Sequence, residues 1–289
     1  MKDILILGAS GFTGKNIYEF FMPQKDRYQI TAPTHRELDV LDESRVRSYL
    51  SDNHFDVIIN CLDIAGNPVD YVQLRLKLFA NLYKYRDFYG KMIYFGSGAE
   101  YDRAYGLHEA KEKDFGNVIP TDAYGLCLYY ISLLSEQSAN IYNFRLFGIF
   151  GKYERWGQRF ISNAICKNLY GYPITIRQNR RMTYLDIEDL CRITQWAVEN
   201  TPRYHLYNAG SDNSYTLQEL AEMVNQEAKQ PVPVFVAQEG MAPEYTVSCE
   251  LLKQELNIQY KSMQQSIREL FDWYASRLDT IDRYPLLYQ

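Results

Sequence analysis

A short apolar run that leads into a glycine-rich loop constrains the fold of this chain more than any other feature of its sequence. Residues 4–7 are all apolar, which is typical of a strand buried on both faces of a parallel sheet. A loop over residues 8–14 follows at once, and a helical stretch over residues 15–22 runs until Pro23 ends it. A strand, a glycine-rich turn and a helix in this order are typical of a dinucleotide-binding βαβ unit.

The glycines of this loop stand where a bound pyrophosphate needs them. Gly8 allows the tight turn, Gly11 lets the backbone approach the ligand, and Gly14 allows close packing of helix on strand. The helix N-terminus then offers free amides and a positive dipole end to the anion. We expect the loop to bind a dinucleotide; the alternative is a glycine-rich turn without a ligand. The expected contacts are Gly8, Ser10, Gly11, Phe12, Thr13 and Gly14.

Strand-like and helix-like segments alternate through the first half of the chain. Apolar runs predict strands over residues 28–32, 57–60, 92–95 and 141–147, and Leu38 and Val40 mark a short third strand. Helices are predicted from Asp42 as N-cap to about Leu50, over 71–88 and over 123–137. This alternation predicts an α/β fold, a doubly wound parallel sheet of Rossmann type with helices on both faces.

The pattern changes after Gly151. Helices are predicted over 160–169, 189–199, 217–227 and 263–276, and strands over 174–176, 184–187, 205–208 and 232–236. We expect residues 1–158 to form a dinucleotide-binding domain to which 178–212 returns. Residues 159–177 and 213–289 would then form a smaller α/β lobe that binds the substrate.

Composition excludes several other classes of protein. The 289 residues carry a net charge of −5, which argues against a nucleic-acid or anionic-membrane surface. No apolar run is long enough to span a bilayer, and the N-terminus lacks the features of a signal peptide. The five cysteines are scattered and the four histidines are far apart, so we expect reduced thiols, no metal site and a cytoplasmic location.

The end of the second predicted strand indicates which dinucleotide binds. NAD sites usually carry an acidic residue there to hold the ribose hydroxyls. Here the stretch Ala32-Pro33-Thr34-His35-Arg36 has no acid before Glu37. Arg36 can instead meet a 2′-phosphate, so we expect NADP(H) in preference to NAD(H). The alternative is that Arg36 is a solvated loop residue.

Seven segments of the chain resemble, in order and spacing, the extended short-chain dehydrogenase/reductases of the NAD-dependent epimerase/dehydratase type. They are 8–14 (GASGFTG), 37–42 (ELDVLD), 56–60 (DVIIN), 94–97 (YFGS), 120–125 (PTDAYG), 145–148 (RLFG) and 184–190 (YLDIEDL). These enzymes mostly reduce, epimerise or dehydrate nucleotide-linked sugars. The segment from Thr34 to Asp39 is most similar to the reductase branch, which includes GDP-fucose synthases and dTDP-4-dehydrorhamnose reductases.

The resemblance implies roles for particular residues. Ser97 would be the active-site hydroxyl, and Tyr124 the catalytic acid/base that also touches the cofactor. Further cofactor contacts would come from Asp39, Val40, Cys61, Leu62 and Phe147. Independently of the family, Ser97 follows a central parallel strand at the end where ligands bind, and a phenol can donate a proton to a ketone. The alternatives are a turn residue at Ser97 and one aromatic among many at Tyr124.

The chain departs from the family pattern at several positions. The family motif places a lysine four residues after the tyrosine, where it binds the nicotinamide ribose and lowers the tyrosine pKa, and here this residue is Leu128. Lys111, Lys113, Lys152 or a chain of waters are the candidates to replace it. The family asparagine on the 71–88 helix has no clear counterpart, since Leu74 or Arg75 lies about where it is expected. Gly148 replaces a substrate-touching asparagine.

Three residues are candidates to bind the nucleotide of a sugar substrate. The family arginine that precedes the 184–190 segment is offset, so Met182 holds its position and Arg181 lies beside it. Arg181 can grip a diphosphate with two charged hydrogen bonds, or it forms a surface pair with Arg180. Arg159 and Phe160 can also meet the nucleotide, although helix packing equally accounts for Phe160.

Three functions remain open at this point. The first is an active NADP(H)-dependent nucleotide-sugar reductase or epimerase that uses Tyr124 and Ser97 without the usual lysine. The second is a degenerate member that binds dinucleotide or nucleotide sugar as a sensor or partner subunit, and the third is a nucleotide-sugar dehydratase. By analogy with the family, the helices over 71–88 and 123–137 are expected to form a homodimer.

Overall fold

A parallel six-stranded sheet forms the centre of the molecule in a computed structural model that describes residues 1–63, 68–211 and 213–288. The strands are β1 (Lys2–Leu7), β2 (Tyr28–Thr31), β3 (Phe55–Asn60), β4 (Tyr89–Ser97), β5 (Leu107–Ala110), β6 (Ile141–Leu146), β7 (Ile149–Phe150), β8 (Ile174–Asn179), β9 (Arg181–Thr183), β10 (Leu185–Asp186), β11 (Leu206–Ala209), β12 (Ser214–Thr216), β13 (Val234–Met241) and β14 (Tyr245–Val247). The helices are α1 (Phe12–Phe21), α2 (Glu43–Asp52), α3 (Pro68–Lys84), α4 (Ala123–Glu136), α5 (Phe160–Leu169), α6 (Ile187–Glu199), α7 (Leu217–Glu227), α8 (Glu250–Glu255) and α9 (Met263–Ala275).

The central sheet has the strand order β11-β6-β4-β3-β1-β2, and every neighbouring pair is parallel. Its strands are apolar on both sides, because one hydrophobic cluster lies on each face. One cluster includes α1 and α6, and the other includes α2, α3 and α4. The predicted α/β fold with a doubly wound parallel sheet is therefore confirmed.

The short third strand predicted at Leu38 and Val40 is wrong, because this segment is a series of turns. Both side chains are buried against the α2–α3 side of the sheet, which explains their apolar alternation. The backbone is held by local bonds instead of a ladder: the Leu38 amide donates to the Thr34 carbonyl (3.0 Å), and the Asn81 side chain donates to the Val40 carbonyl (2.8 Å). Alternating burial alone does not make a strand.

Three boundaries differ from the prediction for local reasons. The helix predicted over 71–88 ends at Lys84, and a separate 3₁₀ turn covers Arg86–Phe88. The strand predicted over 184–187 is shorter, because only Leu185–Asp186 (β10) is a strand, and β9 ends before it at Thr183. Asp186 then caps α6 by accepting a hydrogen bond from the Glu188 amide (2.7 Å), so the helix begins at Ile187.

Three small sheets lie outside the central sheet and are formed mostly by the second half of the described chain. One has the order β12-β9-β14-β5, the second pairs β13 with β8, and the third pairs β10 with β7. A third hydrophobic cluster gathers residues of α5, α7 and α9. β11 lies at the edge of the central sheet, next to β6. Positions 212 and 289, where the two segments predicted for this region end, lie outside the described residues.

The part of the chain that the structure describes contains no helix that is both long and apolar enough to cross a membrane.

Candidate active site

The glycine-rich loop connects β1 to α1 and has two positions that accept only glycine, one for its backbone conformation and one for a close contact. Gly8 has φ +80°, and a Cβ there would lie 2.9 Å from the Cys61 carbonyl oxygen. A Cβ at Gly14 would overlap the Gly8 carbonyl. The Gly11 amide donates to that same carbonyl (3.0 Å) and precedes the first residue of α1. Without a capping side chain at Gly11, the first amides of α1 are left for an anion.

Five other residues predicted to meet the cofactor follow β2 or β3 in the chain. Cys61 donates its amide to the Leu7 carbonyl (3.0 Å), which holds the chain after β3 against the glycine loop. Leu62 follows, with its amide donating to the Asn60 side chain (3.1 Å). Arg36 is exposed, whereas Asp39 accepts a hydrogen bond from the Leu41 amide (3.0 Å). Val40 is buried.

Ser97 ends β4, a central strand that has β3 and β6 as neighbours. It caps the 3₁₀ turn Gly98–Glu100: its Oγ accepts from the Ala99 amide (3.2 Å), and its own amide donates to Glu100 Oε1 (3.1 Å). The turn therefore fixes where the Ser97 hydroxyl lies.

A buried ion pair holds this turn from below. Arg145 Nε donates to Glu100 Oε2 at 2.6 Å, and both side chains are fully buried. Ser132 and Asn143 also donate hydrogen bonds to the Glu100 carboxylate. Arg145 additionally donates to the Tyr101 hydroxyl (3.2 Å). Glu100 thus joins the Ser97 turn to β6 and α4.

Tyr124 lies in the first turn of α4, which Asp122 caps by accepting a hydrogen bond from the Gly125 amide (2.9 Å). Its half-buried ring lies against Tyr71 of α3, with ring centroids 5.6 Å apart. The Arg103 guanidinium lies 5.8 Å from the centre of the same ring. Arg103 is itself paired with Asp122 (3.3 Å).

Tyr245 lies beside Ser97, and sequence reasoning missed it. Its hydroxyl packs against the turn that Ser97 caps, since a Cβ at Gly98 would overlap it. Burial raises the pKa of Tyr245 to about 12, although its interaction with the Ser97 side chain opposes this rise. Tyr245 reaches the site because β14 pairs with β5 and β9, a contact distant in sequence that no local pattern signals.

Phe147 lies behind the Ser97 turn. It is fully buried, its ring centroid is 5.0 Å from that of Tyr245, and a Cβ at Gly98 would overlap it. Phe147 thus packs in the protein interior beneath the turn.

Leu128 is fully buried in the cluster of α2, α3 and α4. Two of the lysines considered as replacements point to carboxylates elsewhere: Lys111 Nζ lies 3.9 Å from Glu250, and Lys152 Nζ lies 3.6 Å from Glu188. Lys113 is exposed.

The candidate substrate residues lie on separate elements. Arg159 is exposed at the N-cap of α5, and Phe160 is half-buried against the α5–α7–α9 cluster. Arg181 in β9 donates to the Ser214 carbonyl (3.0 Å) and faces Glu219 at 3.7 Å. Its neighbour Met182 is the register partner of Tyr245.

The model of the NAD dependent epimerase/dehydratase family matches residues 4–210. The chain therefore belongs to this family of enzymes, as its motifs predicted. Among curated proteins, a GDP-L-colitose synthase of Yersinia pseudotuberculosis is 33% identical over 86 residues, a match that spans 27% of this chain and 27% of that protein.

Solved structures share the fold over nearly the whole chain at low identity. A GDP-L-fucose synthetase from Naegleria fowleri bound to NADP has a TM-score of 0.84 at 14% identity, over 96% of this chain and 94% of that one. A GDP-mannoheptose C4 reductase from Campylobacter jejuni with NADP bound has a TM-score of 0.77 at 16% identity, over 94% and 98%. A dTDP-glucose 4,6-dehydratase from Bacillus anthracis in complex with NAD has a TM-score of 0.78 at 15% identity, over 96% and 98%.

Proposed function

We propose that this chain is an NADP(H)-dependent oxidoreductase that reduces the 4-keto group of a nucleotide-linked sugar. The observation that carries the proposal is that the first turn of α4, which contains Tyr124, packs against the Ser97 turn at the end of a central parallel strand: a Cβ at Gly125 would overlap the Ala99 carbonyl. In parallel α/β sheets this is the edge at which ligands bind. The family membership and the reductases among the similar structures support the same reaction class.

The chain's own residues account for the binding of a dinucleotide. Because a Cβ at Gly8 or Gly14 would occupy the space of the turn, the loop is built for backbone contact with the pyrophosphate. Asp39 and Val40 would meet the adenine, and Cys61 and Leu62 would line the cofactor beside the loop.

The preference for NADP(H) rests on Arg36. Glu37 is the first acid after β2, and its carboxylate already accepts hydrogen bonds from the Thr34 amide (2.7 Å) and hydroxyl (2.9 Å). It is thereby held within its own turn, whereas the exposed Arg36 is available to a 2′-phosphate. A bidentate arginine–phosphate contact would favour the phosphorylated dinucleotide.

Tyr124 and Ser97 have different roles at the keto group of the sugar. The reduced nicotinamide, when bound, supplies a hydride to the keto carbon. Tyr124 donates its phenolic proton to the keto oxygen, and the Ser97 hydroxyl donates a hydrogen bond that orients this oxygen. The fixed turn beneath Ser97 keeps the donor in place between turnovers. Arg181, Arg159 and Phe160 are proposed to hold the nucleotide diphosphate.

The test is NADPH oxidation with a panel of GDP-linked and dTDP-linked 4-keto-6-deoxy sugars. We expect loss of NADPH absorbance matched by formation of the reduced sugar. Tyr124→Phe should lower the rate by at least about 100-fold, since it removes the proton donor and little else. Retained NADPH affinity in the variant is the control. Oxidation at an unchanged rate in Tyr124→Phe contradicts the proposed role.

Leu128 favours a second candidate, a degenerate member that binds dinucleotide or nucleotide sugar without turnover. This candidate predicts saturable NADPH binding and no conversion of any sugar in the panel. Leu128→Lys should then create activity in an otherwise intact site. Sugar conversion without net NADPH consumption would instead indicate an epimerase or a dehydratase.

The enzyme is further proposed to be a homodimer formed through α3 and α4. Tyr130 and Leu134 of α4 are 52% and 36% exposed, whereas Ile131 of the same helix is buried against the sheet. Aromatic residues are enriched at protein interfaces, so this outward face suits a second copy of the chain.

A further inference from the structure

Arg75 is a buried cation on α3 at the edge of the candidate active site. Only 8% of the residue is exposed, although arginine is almost never buried without partners. Its guanidinium donates to the hydroxyl of Tyr94 (3.1 Å) and to the hydroxyl of Tyr71 (2.5 Å), and it lies 3.2 Å from the Asp63 carboxylate.

One partner of Arg75, Tyr71, also contacts Tyr124. The Tyr71 hydroxyl receives the guanidinium bond, and the Tyr71 ring lies 5.6 Å from the Tyr124 ring. Burial lowers the pKa of Arg75, yet the oxygen atoms around it raise the pKa by more. Those oxygens belong to Tyr94, Tyr71, Tyr124 and Asp63. Tyr71 therefore links Arg75 to Tyr124 across the α3–α4 contact.

The other charged groups around Tyr124 are less suited to act on it. Arg103 lies 5.8 Å from the centre of the ring but is 43% exposed and paired with Asp122. Tyr245, on the side of β14, is neutral below about pH 12. The Asp63 carboxylate partly neutralises Arg75, but it is 80% exposed, so solvent weakens this effect. A buried cation is screened much less.

We propose that Arg75 stabilises the negative charge that develops on the Tyr124 phenol oxygen, in place of the absent lysine at position 128. The inference rests on the proposed function, in which Tyr124 transfers its proton to the keto oxygen and becomes a phenolate. Arg75 keeps its own protons throughout, and the phenolate regains a proton from solvent before the next turnover. Since it acts through Tyr124, Arg75 is a positioning residue and does not itself touch the reacting atoms.

The first experiment compares the pH dependence of NADPH oxidation in three variants. Arg75→Gln should lower kcat about 100-fold near neutral pH and shift the profile to higher pH, because the charge is lost while hydrogen-bonding capacity remains. Arg75→Lys keeps the charge and should recover much of the rate. Lys77→Gln removes an exposed charge from the same helix and should match the wild type. A Gln variant with the wild-type rate and profile overturns the proposal.

The second experiment does not need turnover, and it separates this inference from the proposed function. The carbon-13 resonance of the Tyr124 Cζ, assigned by its loss in Tyr124→Phe, is followed through a pH titration. Its midpoint should rise by about 1 pH unit or more in Arg75→Gln, as expected on removal of a nearby opposite charge. An unchanged midpoint overturns the role of Arg75. A shifted midpoint in a protein that reduces no sugar supports Arg75 and overturns only the reductase assignment.

Thermal unfolding and NADPH affinity of each variant distinguish a charge effect from misfolding. If Arg75→Gln does not fold, Arg75→Met takes its place, because methionine fills part of the same buried space and carries no charge. A folded Arg75→Met variant with the wild-type midpoint and the wild-type rate profile overturns the proposal.

Discussion

At the scale of single residues, the site depends on side chains that meet across elements. Ser97, Tyr124 and the glycines of the loop could be singled out from sequence because each belongs to a local motif. Tyr245 and Arg75 could not be given roles in this way. They contribute to the candidate site because β14 and α3 pack beside it, and a sequence pattern does not show such tertiary contacts.

Arg36 offers a direct measure of cofactor selectivity. Arg36→Gln should raise the Kd for NADPH about tenfold, equivalent to about 1.4 kcal/mol, because a charged contact with the 2′-phosphate is lost. The affinity for NADH, which lacks that phosphate, should change little. Titration calorimetry with both dinucleotides checks the prediction.

Arg47→Gln is the matched control, since Arg47 is an exposed arginine on α2. An equal loss of affinity for NADPH and NADH in Arg36→Gln would contradict the assignment, because it would show that Arg36 does not contact the 2′-phosphate.

At the scale of secondary structure, the turn after β4 depends on the Glu100–Arg145 pair. Glu100→Gln removes the carboxylate charge and leaves a fully buried Arg145 without its counter-ion. Breaking a buried ion pair in this way costs about 3–5 kcal/mol of unfolding free energy. Urea unfolding of the variant should show a loss in this range, while Glu136→Gln at the exposed end of α4 should show almost none. A loss in Glu100→Gln as small as in the control would mean that Arg145 finds other compensation.

Element prediction succeeded where the helical period was clear or an N-cap could be recognised. α5 and α7 have the predicted bounds, and Asp42 caps α2 by accepting bonds from the Ser44 and Arg45 amides. The prediction failed where side chains alternate in burial as they do in a strand but the backbone forms a turn. Leu38 and Val40 bury their side chains like strand residues, but the Thr34 carbonyl and the Asn81 side chain satisfy the backbone of a turn. Short strands such as β5 and β14 were missed because they exist only through pairing with distant partners.

At the scale of the whole molecule, the proposed dimer can be broken without touching the site. Leu134→Glu combined with Tyr130→Glu places two charges on the outward face of α4, and burying them in an interface would be costly. Light scattering after size exclusion should report a dimer for the wild type and a monomer for the double variant. Tyr105→Glu, at a position 93% exposed elsewhere on the surface, should leave the mass unchanged. A monomeric wild type would contradict the proposal.

The position of Tyr245 bears on how members of this family can be recombined. The family match ends at residue 210, but the phenol packed against the Ser97 turn comes from residue 245. A chimaera joined near residue 210 would therefore exchange part of the proposed active site together with the rest of the C-terminal segment. In such hybrids, turnover and substrate specificity would change together unless the original residue at position 245 were restored.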